Sequence, residues 1–205
     1  SAAVTPPGDE TAETPEAGEV LPTEDGDSRA QQILKTMTTE QKIYQLFCIT
    51  PEALTGVGTA VQAGQTTQQA LAQYPVGGLI YFAKNIQTPE QLTQMLQNTQ
   101  SYSELGLFLA VDEEGGTVSR VASNDQMGAT QFPPMGQIGA TGETEQAYQV
   151  GYTIGQELRA LGFNLDFAPV ADVNSNPQNP VIGTRAFSSD AAVASQMVAA
   201  AVQGF

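Results

Sequence analysis

The stretch "LFLAVDEEGGTVSR", Leu107 to Arg120, decides how the chain is read. Five mostly apolar residues run without alternation into three consecutive acids, two glycines and, four positions on, an arginine. A short continuous apolar run of this kind fits a strand buried on both faces, as in a parallel sheet. The acids then fall where the strand leaves the core. Asp112 stands at that exit, and Gly115-Gly116 gives a backbone that can turn sharply or approach a ligand closely.

Working outward, "GGLIYFA" (Gly77 to Ala83) and "FNLDFAPV" (Phe163 to about Val170) read as two further strands. Helical segments lie around them. "TTEQKIYQLF" carries Thr38 and Gln41 as a capping box, with Ile43, Leu46 and Phe47 on one face. In "TPEQLTQMLQNTQ", Thr88 caps, Pro89 takes the first helical position and Gln91 completes a box; Leu92, Met95, Leu96 and Thr99 face the core and Gly106 is the stop. "TGETEQAYQVGYTIGQELRALG" predicts a long helix with an inward stripe of Ala147, Val150, Ile154, Leu158 and Leu161, closed by Gly162. A last helix, "SSDAAVASQMVAAAVQ", starts at Ser188 or Ser189. This alternation predicts βα units and a parallel sheet.

Two connections exceed the about 2 to 6 residues usual in such units. They are Glu113 to about Gly142 and Ala171 to Phe187. Both follow the carboxyl ends of strands, where barrels and open α/β sheets place their sites.

Composition narrows the chemistry. The 205 residues are 40% hydrophobic with a formal charge of -15, and eight of the 22 acids precede the first basic residue, Arg29. The remainder of the chain holds 14 acids against 7 bases, so no basic surface is available for nucleic acid or an anionic membrane. No apolar run reaches the roughly 18 residues of a membrane span, and no signal-peptide pattern is seen. Residues 1–27, rich in Pro, Glu, Thr and Gly, read as a disordered acidic linker, and residues 28–205 as the folded part. Cys48, the single cysteine, excludes an internal disulfide, and its place in "IYQLFCI" predicts a buried, inert thiol. The chain has no histidine, which removes classical triads, zinc hydrolases and two-histidine iron sites.

Several polar residues fall at the strand ends. Asp112 can accept hydrogen bonds from two adjacent sugar hydroxyls; alternatively it caps its loop and pairs with Arg120. Glu113 and Glu114 cannot both point into one small site with Asp112, because adjacent charges repel. Arg185 reads either as a ligand clamp or as the partner of Asp172 or Asp166. Lys84 and Asn85 shape the rim. A retaining glycosidase needs two carboxyl groups facing each other about 5 Å apart, which sequence neighbours seldom achieve.

Five segments in order then carry a family resemblance: "GGLIYFAKNI", "VDEEGGTVSR", "FPPMGQIGAT", "GFNLDFAPVADVN" and "NPQNPVIGTRAF". They resemble family 3 glycoside hydrolases of the β-N-acetylglucosaminidase branch, from about Thr38 to Phe205. The resemblance implies an α/β fold, a (β/α)8 TIM barrel of which this chain covers roughly the first half. It implies an exo-acting, retaining enzyme that releases terminal β-linked N-acetylglucosamine from peptidoglycan fragments or chitin-type oligosaccharides, without metal or organic cofactor. Alternatives are a β-glucosidase or β-xylosidase of the same family, or a non-catalytic carbohydrate-binding or assembly module.

Carried over residue by residue, Asp112 and Arg185 bind the sugar, with Arg120 and Asp172 in or behind the same site. Glu113, where glutamine is usual, goes to the rim, so Glu113→Gln should matter little; Glu114 holds the turn. Thr117 stands where arginine is usual. The family's Lys-His pair, its His-Asp acid/base dyad and its nucleophilic aspartate find no match in the chain, which alone is expected to be inactive. About four of eight strands are present, against the roughly 250 residues of a whole barrel. Open strand edges predict dimerisation, pairing with the missing half, or membership of a longer molecule. The acidic linker and family habit predict an extracellular or surface-attached enzyme.

Overall fold

The computed structural model describes residues 24–205. The linker assigned to residues 1–27 lies, up to residue 23, outside the described residues. Two units are distinct. One contains helix α1, Glu24–Thr36; the other runs from Thr38 to Phe205.

The larger unit begins with α2 (Thr39–Tyr44), capped as expected: Thr38 Oγ1 accepts the Gln41 amide at 3.1 Å and Gln41 Oε1 accepts the Thr38 amide at 2.9 Å. The elements then run β1 (Cys48–Ile49), α3 (Pro51–Thr55), α4 (Gln65–Gln73), β2 (Gly78–Tyr81), α5 (Pro89–Ser101) and β3 (Phe108–Val111). They continue with α6 (Met135–Thr141), α7 (Thr144–Leu161), β4 (Leu165–Asp166) and α8 (Ala191–Gly204). The strands form one parallel sheet in the order β1-β2-β3-β4. Strand order equals chain order, with no reversal. That is the progression of a barrel wall and not of a doubly wound sheet, whose strand order reverses at a switch point.

Register sorts the side chains into two layers. Leu79, Tyr81, Leu109 and Val111 turn to the helices and pack against Leu92, Met95 and Leu96 of α5 and Ala147, Val150, Ile154 and Leu158 of α7. The Tyr81 hydroxyl donates to Thr99 Oγ1 at 3.2 Å inside this layer. On the opposite face lie the rows Cys48, Gly78, Phe108 and Ile80, Ala110, Leu165. This face is partly open, and Phe108 is 60% exposed.

Several local expectations need correction. Cys48 is exposed, because β1 is an edge strand and the residue points to the open face; partial burial of its sulfur nevertheless raises the thiol pKa. Ile43, Leu46 and Phe47 are exposed too, since α2 ends at Tyr44 and the chain turns into β1. Gln91 does not close a box on Thr88: its Oε1 takes the Gln87 amide at 2.9 Å. Helix α5 ends at Ser101, and Gly106 serves the later turn into β3. Leu161 is only partly buried. Helix α8 is capped by Asp190, whose Oδ1 accepts the Ala192 and Val193 amides at 2.8 and 3.1 Å, and not by the serines before it. Strand β4 is short: its pairing ends at Asp166, whose side chain takes the Glu113 amide, and Pro169 has no N–H for a later rung.

The loop after β3 is held from inside. Glu113, expected at the rim, is 3% exposed. Its carboxylate accepts the amides of Arg120 (2.7 Å), Val121 (2.6 Å) and Ala122 (3.2 Å), and the Ser119 hydroxyl. Gly115 and Gly116 have φ of 81° and 64°, and a Cβ on Gly116 would lie 2.6 Å from Pro134 Cα, so neither position admits a side chain.

A Gln at 113 would present an NH2 group to backbone donors. We predict that Glu113→Gln lowers unfolding stability by about 1–3 kcal/mol, the cost of leaving buried donors unpaired. Urea denaturation of the two proteins measures it; a difference below about 0.5 kcal/mol, the usual size for a surface change, contradicts the buried-anchor role.

Candidate functional site

One position beyond the last paired row, alternation brings Asp112 to the open face at the carboxyl end of β3. The Phe167 amide still bonds the Val111 carbonyl at 2.9 Å, so β4 runs alongside as far as this level. Phe82 and Phe167 occupy the flanking strand positions, and Phe167 is 48% exposed. The Asp112 carboxylate thus stands on a fixed strand end with a phenylalanine at the same level on each neighbouring strand. Apolar walls with one placed polar group are the usual makings of a small-molecule site.

Arg120 comes back over this end. Its Nη2 lies 3.3 Å from Asp112 Oδ2, and its guanidinium carbon stands 5.4 Å from the Phe82 ring centroid. Stacking and ion pairing together fix the plane of the guanidinium. Its Nε is buried and has no hydrogen-bond partner among the described residues. The Asp112–Arg120 pair that sequence reasoning offered as the alternative to sugar binding therefore exists, but both side chains stay partly exposed, at 23% and 30%. A partly wet pair can exchange one contact for a ligand hydroxyl at small cost.

Arg185 arrives from the second long loop, on a one-turn helix at Gly183–Arg185 that packs on α6. Its partner is neither Asp172 nor Asp166. Nε donates to Glu114 Oε2 at 2.8 Å and Nη2 to Glu114 Oε1 at 2.6 Å, a two-pronged pair in which the carboxylate is 5% exposed. Nη1 donates to the Val181 carbonyl at 3.2 Å. The Glu114 hydrogen bonds raise the arginine's pKa, helped by the charges of Glu114, Asp172 and Asp112. Asp172 is exposed and acts on Arg185 through charge. Asp112, Arg120 and Arg185 thus gather at one mouth, with Asp172 at its margin.

The rim residues behave as read. Asn85 is buried, accepting the Phe82 amide at 2.8 Å and donating to Glu52 Oε1 (2.6 Å) and the Ala60 carbonyl (2.8 Å); Lys84 lies 3.4 Å from Glu52. These bonds hold the segment before Ile86.

Sequence reasoning missed how much depends on Asp166. Its Oδ1 accepts the Glu113 amide at 2.9 Å, while Oδ2 is buried without a partner among the described residues. Burial, together with the charges of Glu113, Asp112 and Glu114, pushes its pKa up to about 8. An acid inside the apolar run "FNLDFAPV" was the available signal. Asp166 also borders a cavity of about 540 Å³ between β4 and α7, which does not reach Asp112.

Comparison with known proteins places this geometry. Residues 38–205 match the family model described as the glycosyl hydrolase family 3 N terminal domain. The chain is 42% identical over 150 residues to beta-hexosaminidase A of Pseudoalteromonas piscicida, covering 67% of this chain and 24% of that protein. It superposes on a family 3 beta-N-acetylglucosaminidase from Paenibacillus sp. with a TM-score of 0.72 and 34% identity, over 83% of this chain and 31% of that one. NagZ from Neisseria gonorrhoeae gives a TM-score of 0.64 and 32% identity, over 71% and 43%. The chain thus spans less than half the length of each of these relatives. The four-strand arc is the first half of an α/β barrel of the TIM type, and the chain belongs to glycosyl hydrolase family 3, matching its N-terminal domain.

Proposed function

We propose that the chain forms the sugar-holding half of an exo-acting, retaining β-N-acetylglucosaminidase. The observation that carries the reading is the convergence of Asp112, Arg120 and Arg185 at the carboxyl end of β3, in a domain matched to beta-hexosaminidases and beta-N-acetylglucosaminidases. Asp112 accepts two neighbouring hydroxyls of the terminal sugar. Arg120, already stacked on Phe82, donates to an oxygen of the same ring. Arg185, held by Glu114, presents its remaining N–H groups from the opposite loop.

Bond cleavage needs other groups. Retention requires a nucleophile on one side of the glycosidic bond and an acid/base that serves the leaving oxygen. The sequence has no histidine for the family's dyad, and its three clustered acids are committed to Arg120, to backbone amides and to Arg185. The exposure of Phe108 on the open face supports covering of that face by further structure. Peptidoglycan fragments or chitin-type oligosaccharides are the proposed substrates. The acidic N-terminal segment supports a tethered, extracellular or surface location. No helix of the described residues is long and apolar enough to cross a membrane.

In the full-length gene product we expect chromogenic N-acetylglucosaminide to be hydrolysed and the matching glucoside to be turned over at least tenfold more slowly; the reverse preference assigns the protein to a different specificity. Residues 1–205 alone should give no turnover. Asp112→Ala should weaken N-acetylglucosamine binding by about 1.5–3 kcal/mol, the scale of a charge-assisted hydrogen bond, and Arg185→Ala should act similarly. Calorimetric titration reads both, and unchanged affinity removes the residue from the site.

A further inference from the structure

In an unbroken parallel ladder the Glu113 amide would donate to the Phe167 carbonyl, and the following rung would need an N–H from residue 169. Residue 169 is proline, and the ladder stops. The Glu113 amide goes instead to the Asp166 side chain, at 2.9 Å. This bond fixes the peptide that joins Asp112 to Glu113. The direction of the Asp112 side chain therefore depends on a side-chain contact made by a neighbouring strand.

We propose that Asp166 is a positioning residue for the Asp112 carboxylate, acting through the Glu113 amide, and that it makes sugar binding depend on pH. The inference rests on the sugar-holding reading of Asp112. Three acids from the end of β3, Asp112, Glu113 and Glu114, lie behind Asp166. Arg159 of α7 borders the same cavity but is exposed, and Arg185 of the second loop is already paired with Glu114, with Asp172 beyond it. Helix α8 brings no ionisable side chain. Arg120 is engaged with Asp112 and the Phe82 ring, the charges that act on Asp166 are the three carboxylates, and Oδ2 is buried and unpartnered among the described residues, where a proton can sit. With that proton on, Asp166 holds the amide without repelling the carboxylates. With it off, the loop that carries Asp112 is pushed from its place.

The sign follows from the raised pKa of about 8. The folded protein binds this proton more tightly than the unfolded chain does. Stability contributed by neutral Asp166 is complete below the ordinary carboxyl range, declines as pH rises from there, and levels off once pH passes its folded value. Asp166→Asn keeps an oxygen for the Glu113 amide and cannot ionise.

The test uses the full-length gene product and N-acetylglucosamine. Wild-type affinity should fall about tenfold or more as pH is raised through the region of 8, and the Glu113 amide resonance should titrate with the same midpoint. Asp166→Ala should bind about tenfold more weakly than wild type below the region of pH 8 and show no alkaline fall of its own, and Asp166→Asn should restore binding while abolishing the alkaline fall. Equal alkaline falls in wild type and Asp166→Asn, or an Asp166→Ala protein with wild-type affinity, would overturn the proposal. If the sugar does not bind at any pH, the sugar-holding reading fails; a Glu113 resonance that then titrates in wild type and not in Asp166→Asn still supports the coupling, and a flat one ends it.

Discussion

The buried carboxylate of Glu113 is the constraint on which the mouth of the sheet depends. One side chain absorbs three backbone amides and a hydroxyl from residues 119–122, so the chain that leaves β3 is folded back on itself within a short loop. Without it those donors would be buried unpaired, each at a cost of about 1–3 kcal/mol. The fold-back is also what brings Arg120 over Phe82 and onto Asp112. Glu114, the next residue, reaches the other way and takes the guanidinium of Arg185. Three consecutive acids therefore have three separate duties: one faces the open mouth, one folds the loop, and one ties in the second loop.

That division explains how repulsion among the acids is managed. Asp112 and Glu114 each face a guanidinium, and Glu113 is surrounded by backbone and hydroxyl donors. Of these carboxylates Asp166 is the one with a buried oxygen that has no donor among the described residues, and burial together with the charges of Glu113, Asp112 and Glu114 raises its pKa. A buried carboxyl beside like charges keeps its proton. The three consecutive acids are thus each matched by a local donor, and Asp166 is the group of the cluster left with a buried oxygen unmatched.

Much of this is legible in the sequence. The apolar runs at Gly77 and Leu107 locate β2 and β3, the Thr38 capping box locates the start of α2, and Gly162 ends α7. Strand β1 escapes such a reading, because only Cys48 and Ile49 pair and the apolar residues before them continue a helical spacing. Helix α3 is only five residues long, too short to show a period although Thr50 and Pro51 open it, and α4 is hidden in a segment of Gln, Thr and Gly. At the site, residue types point to Asp112, Arg120, Arg185 and Asp172, yet they suggest the wrong partner for Arg185. Glu114 and Arg185 are 71 positions apart, and only the packing of the Gly183 turn on α6 brings them together. The family resemblance puts Glu113 at the rim; the amides of residues 120–122 that draw it inward are invisible to a reading of side chains.

Whether Asp112 and the two arginines form a subsite for the terminal sugar is decided most directly by a crystal structure of the full-length gene product with N-acetylglucosamine. The ring should be seated at the end of β3, with two of its hydroxyls within hydrogen-bond distance of the Asp112 carboxylate and Arg185 reaching the same ring. A sugar bound elsewhere, with Asp112 still engaged only by Arg120, would contradict the assignment.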